Sequence, residues 1–174
     1  MEIAQLDKFA SSKDKDDVVF AHCKILKKMV SPVAFTINCH PVRSFKNEDL
    51  NSGKSRWHRR STNIEDINAL WSCLSYQLYQ AFTFSSYRNK SDKDIFCIGN
   101  IEIGNGSGQI HVHGIANNIL DLDVRPFRYI LKSAIERSSN KVRIVSGKPD
   151  INYFVDEGWV KYMFKSSFHH QLMA

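Results

Sequence analysis

This 174-residue chain predicts an α+β fold with the element order β-α-β-β-α-β and one further helix at the end. Three observations carry that expectation: a long stretch of helical period at 64–82, two strand-like runs around a glycine-bearing turn at 105–108, and a second helical stretch that opens on Pro126. No internal repeat or low-complexity tract breaks the chain. All of 1–174 reads as a single domain, with 1–31 an N-terminal extension and the core over about 33–166.

Residues 11–17 are a charged lead-in. The spacing predicts a helix over 18–30, with Val19, Cys23, Leu26 and Val30 on one face and Asp16 or Asp17 as its cap. Residues 33–38, β-branched and aromatic after Pro32, predict a strand. The polar stretch 44–63 reads as a loop-like insertion. From 64 to 82, Ile67, Leu70, Trp71, Leu74, Leu78 and Phe82 recur at helical spacing, with Asn63 as cap and Asp66 three places on. Residues 94–104 and 109–116 predict a β-hairpin about the turn Asn105-Gly106-Ser107-Gly108. Proline at a helix start and good periodicity mark 126–138 as a helix. Residues 141–145 predict a short strand and 156–166 a last helix capped by Asp156. The order is ferredoxin-like, also described as RRM-like: a central antiparallel sheet with helices on one face. That fold hosts many functions and decides none of them.

The composition narrows the field. Lys and Arg number 24 against 18 Asp and Glu, a net charge of +6 that favours a polyanionic partner. No apolar run reaches the roughly 20 residues a bilayer needs, and the first residues lack the basic start and apolar stretch of a signal peptide. The expectation is a cytoplasmic protein without a membrane partner. Cys23, Cys39, Cys73 and Cys97 are widely spaced and form no C-x-x-C pair, so they read as small buried hydrophobes in a reducing compartment.

The basic excess is concentrated. Lys54, Arg56, Arg59 and Arg60 crowd into KSRWHRR with Trp57 and His58 between them. Cations interleaved with an aromatic suit phosphate contact plus base stacking; a solvated loop explains the same run equally well.

His111 and His113 lie two apart on a predicted strand, so both imidazoles share one face while Ile110, Val112 and Ile115 take the other. A four-residue turn at 105–108 places Glu102 directly opposite His111 on the same face. Glu102, His111 and His113 then form an N,N,O cluster able to hold a divalent cation with open positions. A pair of merely hydrogen-bonded histidines is the plain alternative, and a one-residue slip would send Glu102 to the wrong face.

The last helix carries Tyr162 and Lys165, three apart and therefore side by side. A tyrosine can attack phosphorus and form a covalent phosphotyrosine, provided its high pKa is offset. A bound metal and a nearby ammonium supply that help. Alone, Tyr-x-x-Lys is more often packing, and Trp159 and Phe164 read as packing groups.

Taken in order, these elements resemble the HUH endonuclease superfamily, in particular its replication-initiator (Rep) branch. Phe35-Thr36-Ile37-Asn38 looks like the family's first motif, His111-Val112-His113 like the second, and Tyr162 with Lys165 like the third; Glu102 stands where many Rep proteins carry a glutamate. The resemblance covers about 33–166 with long unmatched gaps. It implies a single-tyrosine, metal-dependent nickase that cleaves and rejoins single-stranded DNA, using Mg2+ or Mn2+ held by Glu102, His111 and His113. It implies DNA contacts from Lys54, Arg56, Trp57, Arg59, Arg60, Thr36 and Asn38, an origin hairpin as substrate, and a host helicase and polymerase as partners, in the host cytoplasm or, for a eukaryotic replicon, the nucleus. No nucleotide cofactor is expected: Gly53-Lys54-Ser55 lacks the first glycine of a P-loop, Glu48 standing in its place. Relaxases place their tyrosine near the N-terminus and the small transposases pair theirs with a glutamine, which leaves such strand transferases as the alternative within the superfamily. A non-catalytic ferredoxin-like nucleic-acid binder is the alternative outside it.

Overall fold

In the computed structural model the described residues are 12–48, 55–83, 97–103, 109–152, 155–165 and 171–173. Its elements in chain order are α1 (Ser12–Leu26), β1 (Val33–Cys39), β2 (Val42–Glu48), β3 (Ser55–Ser61), α2 (Ile64–Thr83), β4 (Cys97–Ile103), β5 (Ile110–Ala116), α3 (Val124–Val142), β6 (Asp150–Asn152), α4 (Glu157–Met163) and β7 (Gln171–Met173). Five strands form one sheet in the order β6-β1-β5-β4-β7, every neighbouring pair antiparallel. Without the short β7, this is the ferredoxin-like arrangement predicted from the element order.

Alternation on β1, β4 and β5 gives the sheet two different faces. Toward one project Phe35, Ile37, Cys97, Ile101, Ile110 and Val112, packed with Leu70, Trp71, Leu74 and Leu78 of α2 and Phe127, Leu131 and Ile135 of α3. Close approach is possible there because Gly99 and Gly114 oppose each other across β4 and β5. A Cβ on Gly114 would strike the Phe35 ring, and one on Gly99 would lie 2.6 Å from Trp71 Cη2. The other face carries a smaller cluster, Ile98 and Ile115 with Cys23 and Leu26 of α1 and Val160, Met163 and Phe164 at α4. Ile115, expected beside Ile110 and Val112, instead shares the face of His111 and His113, because it is an even number of residues from them. Helices therefore cover both faces, not one. The last helix, α4, packs with α1, a helix the βαββαβ count does not include.

Three local expectations are corrected. The helix predicted over 18–30 begins earlier and ends at Leu26, so Asp16 and Asp17 lie inside α1 and do not cap it. The stretch 44–63, read as a loop, holds the paired strands β2 and β3, with Arg43 opposite Arg60 and Phe45 opposite His58. Residues 141–145 are not a strand. The buried series Phe127, Leu131, Ala134, Ile135, Ser138, Val142 keeps helical period, so α3 runs to Val142 and ends on Arg143 in the left-handed conformation, φ 59°. Val145 makes one isolated bridge to Cys39, and the edge strand is β6.

The caps follow the sequence closely. Asn63 Oδ1 accepts from Asp66 N at 3.0 Å while Asn63 N donates to Asp66 Oδ2 at 3.1 Å, a reciprocal cap at the start of α2. Asp156 accepts from Trp159 N at 2.9 Å and caps α4. All four cysteines are free; burial pushes the Cys39 and Cys97 thiols up to about 12, consistent with small hydrophobes. Among the described residues, no helix is long and apolar enough to cross a membrane.

Candidate metal and nucleophile site

The site stands on the sheet face carrying the smaller cluster, where α4 ends. β4 and β5 pair in the register predicted from the turn, Glu102 opposite His111 and Asn100 opposite His113. On the other side β5 pairs with β1, placing Thr36 opposite His113 and Asn38 opposite His111. The two histidines are thus bracketed: polar side chains of β1 lie behind them and Glu102 lies in front.

The hydrogen bonds give each bracket a task. The Nδ1–H of His111 donates to Asn38 Oδ1 at 2.7 Å, leaving Nε2 outside that bond. His113 uses both nitrogens: Nε2 lies 2.7 Å from Glu102 Oε2 and Nδ1 lies 3.0 Å from Thr36 Oγ1. Glu102 is opposite His111 in register but bonds His113 diagonally, because Asn38 already engages His111. Among the described residues, no three His, Cys, Asp or Glu side chains are already drawn together as metal ligands. The predicted N,N,O set is present as a bonded pair, with His111 beside it at 6.1 Å between ring centroids.

The donor chemistry nevertheless fits a divalent cation. Both imidazoles are held through Nδ1, the arrangement in which an outer partner fixes the ring, and the Nε2 of His111 lies outside its bond while that of His113 meets Glu102. Burial holds the His113 imidazole below its ordinary value; Glu102 pulls it up, while Lys165 and His111 add to the lowering. The ring is therefore neutral near pH 7, the form that ligates. Neutral His113 donates through Nε2–H to Glu102 and accepts from the Thr36 hydroxyl at Nδ1. A hydroxyl both donates and accepts, so Thr36 can also accept from Nδ1–H when Nε2 serves as a ligand. Burial pushes the Glu102 carboxyl up, but the His113 hydrogen bond and the Lys165 charge outweigh it and leave the group below its usual value.

α4 brings the remaining two residues onto this group. Asn100, fully buried, donates from Nδ2 to the Met163 carbonyl at 2.6 Å and pins the end of α4 to β4. Tyr162, one residue earlier, sets its ring edge-on against His113 at 5.3 Å, and Trp159 flanks it at 5.2 Å. Lys165 Nζ lies 3.5 Å from Glu102 Oε2 and 3.9 Å from the Tyr162 ring centroid. Its hydrogen bond to Tyr162 and the charge of Glu102 raise the ammonium above its ordinary value, against the opposing effect of burial. All five residues singled out by the sequence thus meet in one cluster, with Tyr162 42% exposed at its mouth.

The expected DNA contacts scatter. Arg56 and Trp57 lie on β3 and Arg59 is exposed there, while Lys54 falls outside the described residues. Arg60 grips Asp66 with two 2.7 Å bonds, Nη1 to Oδ2 and Nη2 to Oδ1, joining β3 to the α2 cap. Thr36 and Asn38 turn to the histidines. Sequence reasoning missed Asn100 altogether and took Trp159 for packing alone. Asn100 left a readable trace, being the polar residue between Gly99 and Ile101 that lies two before Glu102 and shares its face.

No protein-family model matches the chain, and no curated protein or solved structure matches it either.

Proposed function

We propose that this protein is a metal-dependent nicking and joining enzyme for single-stranded DNA, of the replication-initiator type within the HUH superfamily, with Tyr162 as nucleophile. The observation that carries the reading is the placement of Tyr162 against His113 while Lys165 spans the gap between Tyr162 and Glu102. A tyrosine that merely packs has no need of a histidine–carboxylate pair and an ammonium on its ring.

Glu102, His111 and His113 would hold Mg2+ or Mn2+, which when bound polarises a phosphate oxygen. The chain's own groups do the rest. Tyr162 Oη forms a bond to phosphorus as the bond to the 3′-oxygen breaks, and one proton passes, net, from phenol to the departing 3′-hydroxyl. Lys165, held charged beside the phenol, stabilises negative charge as the phenolate develops. Thr36 and Asn38 keep the imidazoles aimed, and Asn100 keeps α4 in register. The product is a 5′-phosphotyrosine and a free 3′-hydroxyl able to prime rolling-circle synthesis. Attack by a later 3′-hydroxyl reverses the step and rejoins DNA. Each phosphodiester broken is replaced by another ester, so no ATP is consumed. The exposed strands around Arg59 suit phosphate contacts to the hairpin, and helicase and polymerase come from the host.

The basic strands β2 and β3 would also serve a non-catalytic nucleic-acid binder, which leaves the five-residue cluster without a use. One experiment separates the two. Labelled single-stranded origin DNA with Mn2+ is expected to give a denaturant-resistant protein–DNA adduct, abolished by EDTA and by Tyr162→Phe. An adduct that persists in Tyr162→Phe removes Tyr162 as nucleophile; cleavage that persists in EDTA removes the metal.

A further inference from the structure

A cationic stripe on α3 takes no part in the site above. Arg125, Arg128, Tyr129 and Lys132 follow the spacing i, i+3, i+4, i+7 and share one face, turned away from the buried series that begins at Phe127. Lys148, Pro149 and Ile151 stand opposite, and together they line a groove of ≈580 Å³. Tyr129 is 75% exposed at its rim and Val124 is exposed beside it.

Local physics does not account for this arrangement. The N-terminal end of a helix favours anions, yet the first turn of α3 holds Arg125 and no acidic residue, and Asp123 at the N-cap makes no side-chain cap bond. Glu136 reaches Lys132 only at 3.8 Å between half-exposed groups. Asp150 pairs in register with Thr36, and so belongs to the metal-site face of the edge strand. Ile151 pairs with Phe35 and belongs to the groove's face. The groove therefore lies round the β6 edge from the site. Arg125 in the first turn, opposing its own helix beside the exposed Tyr129 ring, runs against the local rule.

We propose that this groove binds a single-stranded nucleic acid. Arg125, Lys132 and Lys148 meet successive phosphates, and Tyr129 stacks beneath an unpaired base. The stripe from 125 to 132 spans about 10 Å of helix, at 1.5 Å per residue, room for a short segment of strand. Stacking on Tyr129 requires a base free of its partner, which a duplex does not offer. The groove lies apart from Tyr162 and does not depend on the nicking chemistry.

The test uses the whole chain carrying Tyr162→Phe, so that no covalent chemistry intervenes. A 4-thiothymidine-bearing oligothymidylate is cross-linked to it by ultraviolet light and the modified peptides are mapped. A cross-link on the peptide containing Tyr129 is expected, together with a loss of affinity in Tyr129→Ala of about tenfold, within the range for base–aromatic stacking. The double charge reversal Lys132→Glu, Lys148→Glu should weaken binding and flatten its salt dependence. Cross-links confined to other peptides would overturn the assignment. So would affinity unchanged within twofold in Tyr129→Ala, or a duplex of the same length binding more tightly than the single strand.

Discussion

At the scale of single residues, Thr36 and Asn38 change their meaning most. From the sequence they are polar positions within a strand motif; in the fold they are the hydrogen-bond partners of the two imidazoles. Their removal should act on metal affinity before DNA affinity. Thr36→Val, which keeps the shape and loses the hydroxyl, and Asn38→Ala are each expected to raise the Kd for Mn2+ by about 10- to 100-fold, the usual effect of losing an outer-shell partner. Isothermal titration calorimetry measures this, and Thr36→Ser should restore binding. Unchanged Mn2+ affinity in both variants would show that the imidazoles need no such support. Arg59 and Arg60 separate in the opposite sense. Asp66 is 3% exposed and is held by Arg60. Arg60→Ala should therefore destabilise the fold by about 1–3 kcal/mol, because the buried carboxylate loses its cation and both guanidinium bonds and keeps the weaker Asn63 N–H. Arg59→Ala should leave the melting temperature in place and weaken DNA binding. Equal melting temperatures in the two variants would contradict this division.

At the scale of elements, what was legible had a single dominant period. α2 shows apolar spacing from Ile67 to Phe82, and its cap was readable from Asn63 and Asp66. The register of β4 on β5 agrees with the one predicted from a four-residue turn at 105–108, which lies outside the described residues; alternating faces tolerate no slip. β2 and β3 were illegible for the converse reason. Runs such as Arg-Ser-Phe-Lys-Asn-Glu and Ser-Arg-Trp-His-Arg-Arg-Ser have no apolar alternation, and such a ribbon reads as polar chain. Residues 141–145 misled through β-branched composition, although the helical series continues through Val142. What no period conveys is how α4 docks. Asn100 supplies the contact that fixes it, and Asn100→Ala is expected to lower the rate of adduct formation by tenfold or more while single-strand affinity stays within twofold. A stopped assay for the adduct beside an anisotropy titration distinguishes this from general unfolding. Equal losses in both would make Asn100 a stability residue only.

At the scale of the whole molecule, the sheet separates two apolar clusters of unequal size. The smaller one contains His22, which is 2% exposed, bonded through Nδ1 to Val18 O at 2.9 Å and edge-on to Phe164 at 4.9 Å. Burial holds its pKa below the ordinary 6.5, against the pull of the Val18 carbonyl. The unfolded chain thus takes up a proton near pH 6.5 that the folded chain refuses. Stability is complete above that value and declines as pH falls toward the lower folded pKa. His22→Leu should flatten the fall in melting temperature between pH 7 and 5; an unaltered slope would assign the acid sensitivity elsewhere.

The division of the core has a consequence for what folded means here. The larger cluster unites α2, α3 and the sheet, whereas α1 and α4 pack together on the smaller one; the Lys27–Glu157 pair at 3.0 Å that also links them is exposed, a kind of contact worth little. Segments held by few buried side chains open more readily than the body that carries them. Amide exchange should accordingly release α4 well before β1 and β5. A sample that has aged or been warmed would then keep its circular dichroism and its histidines in place while its tyrosine has drifted off the sheet. Under the proposed function, nicking would be the more sensitive measure of intactness, and spectroscopic integrity says little about whether Tyr162 still lies against His113.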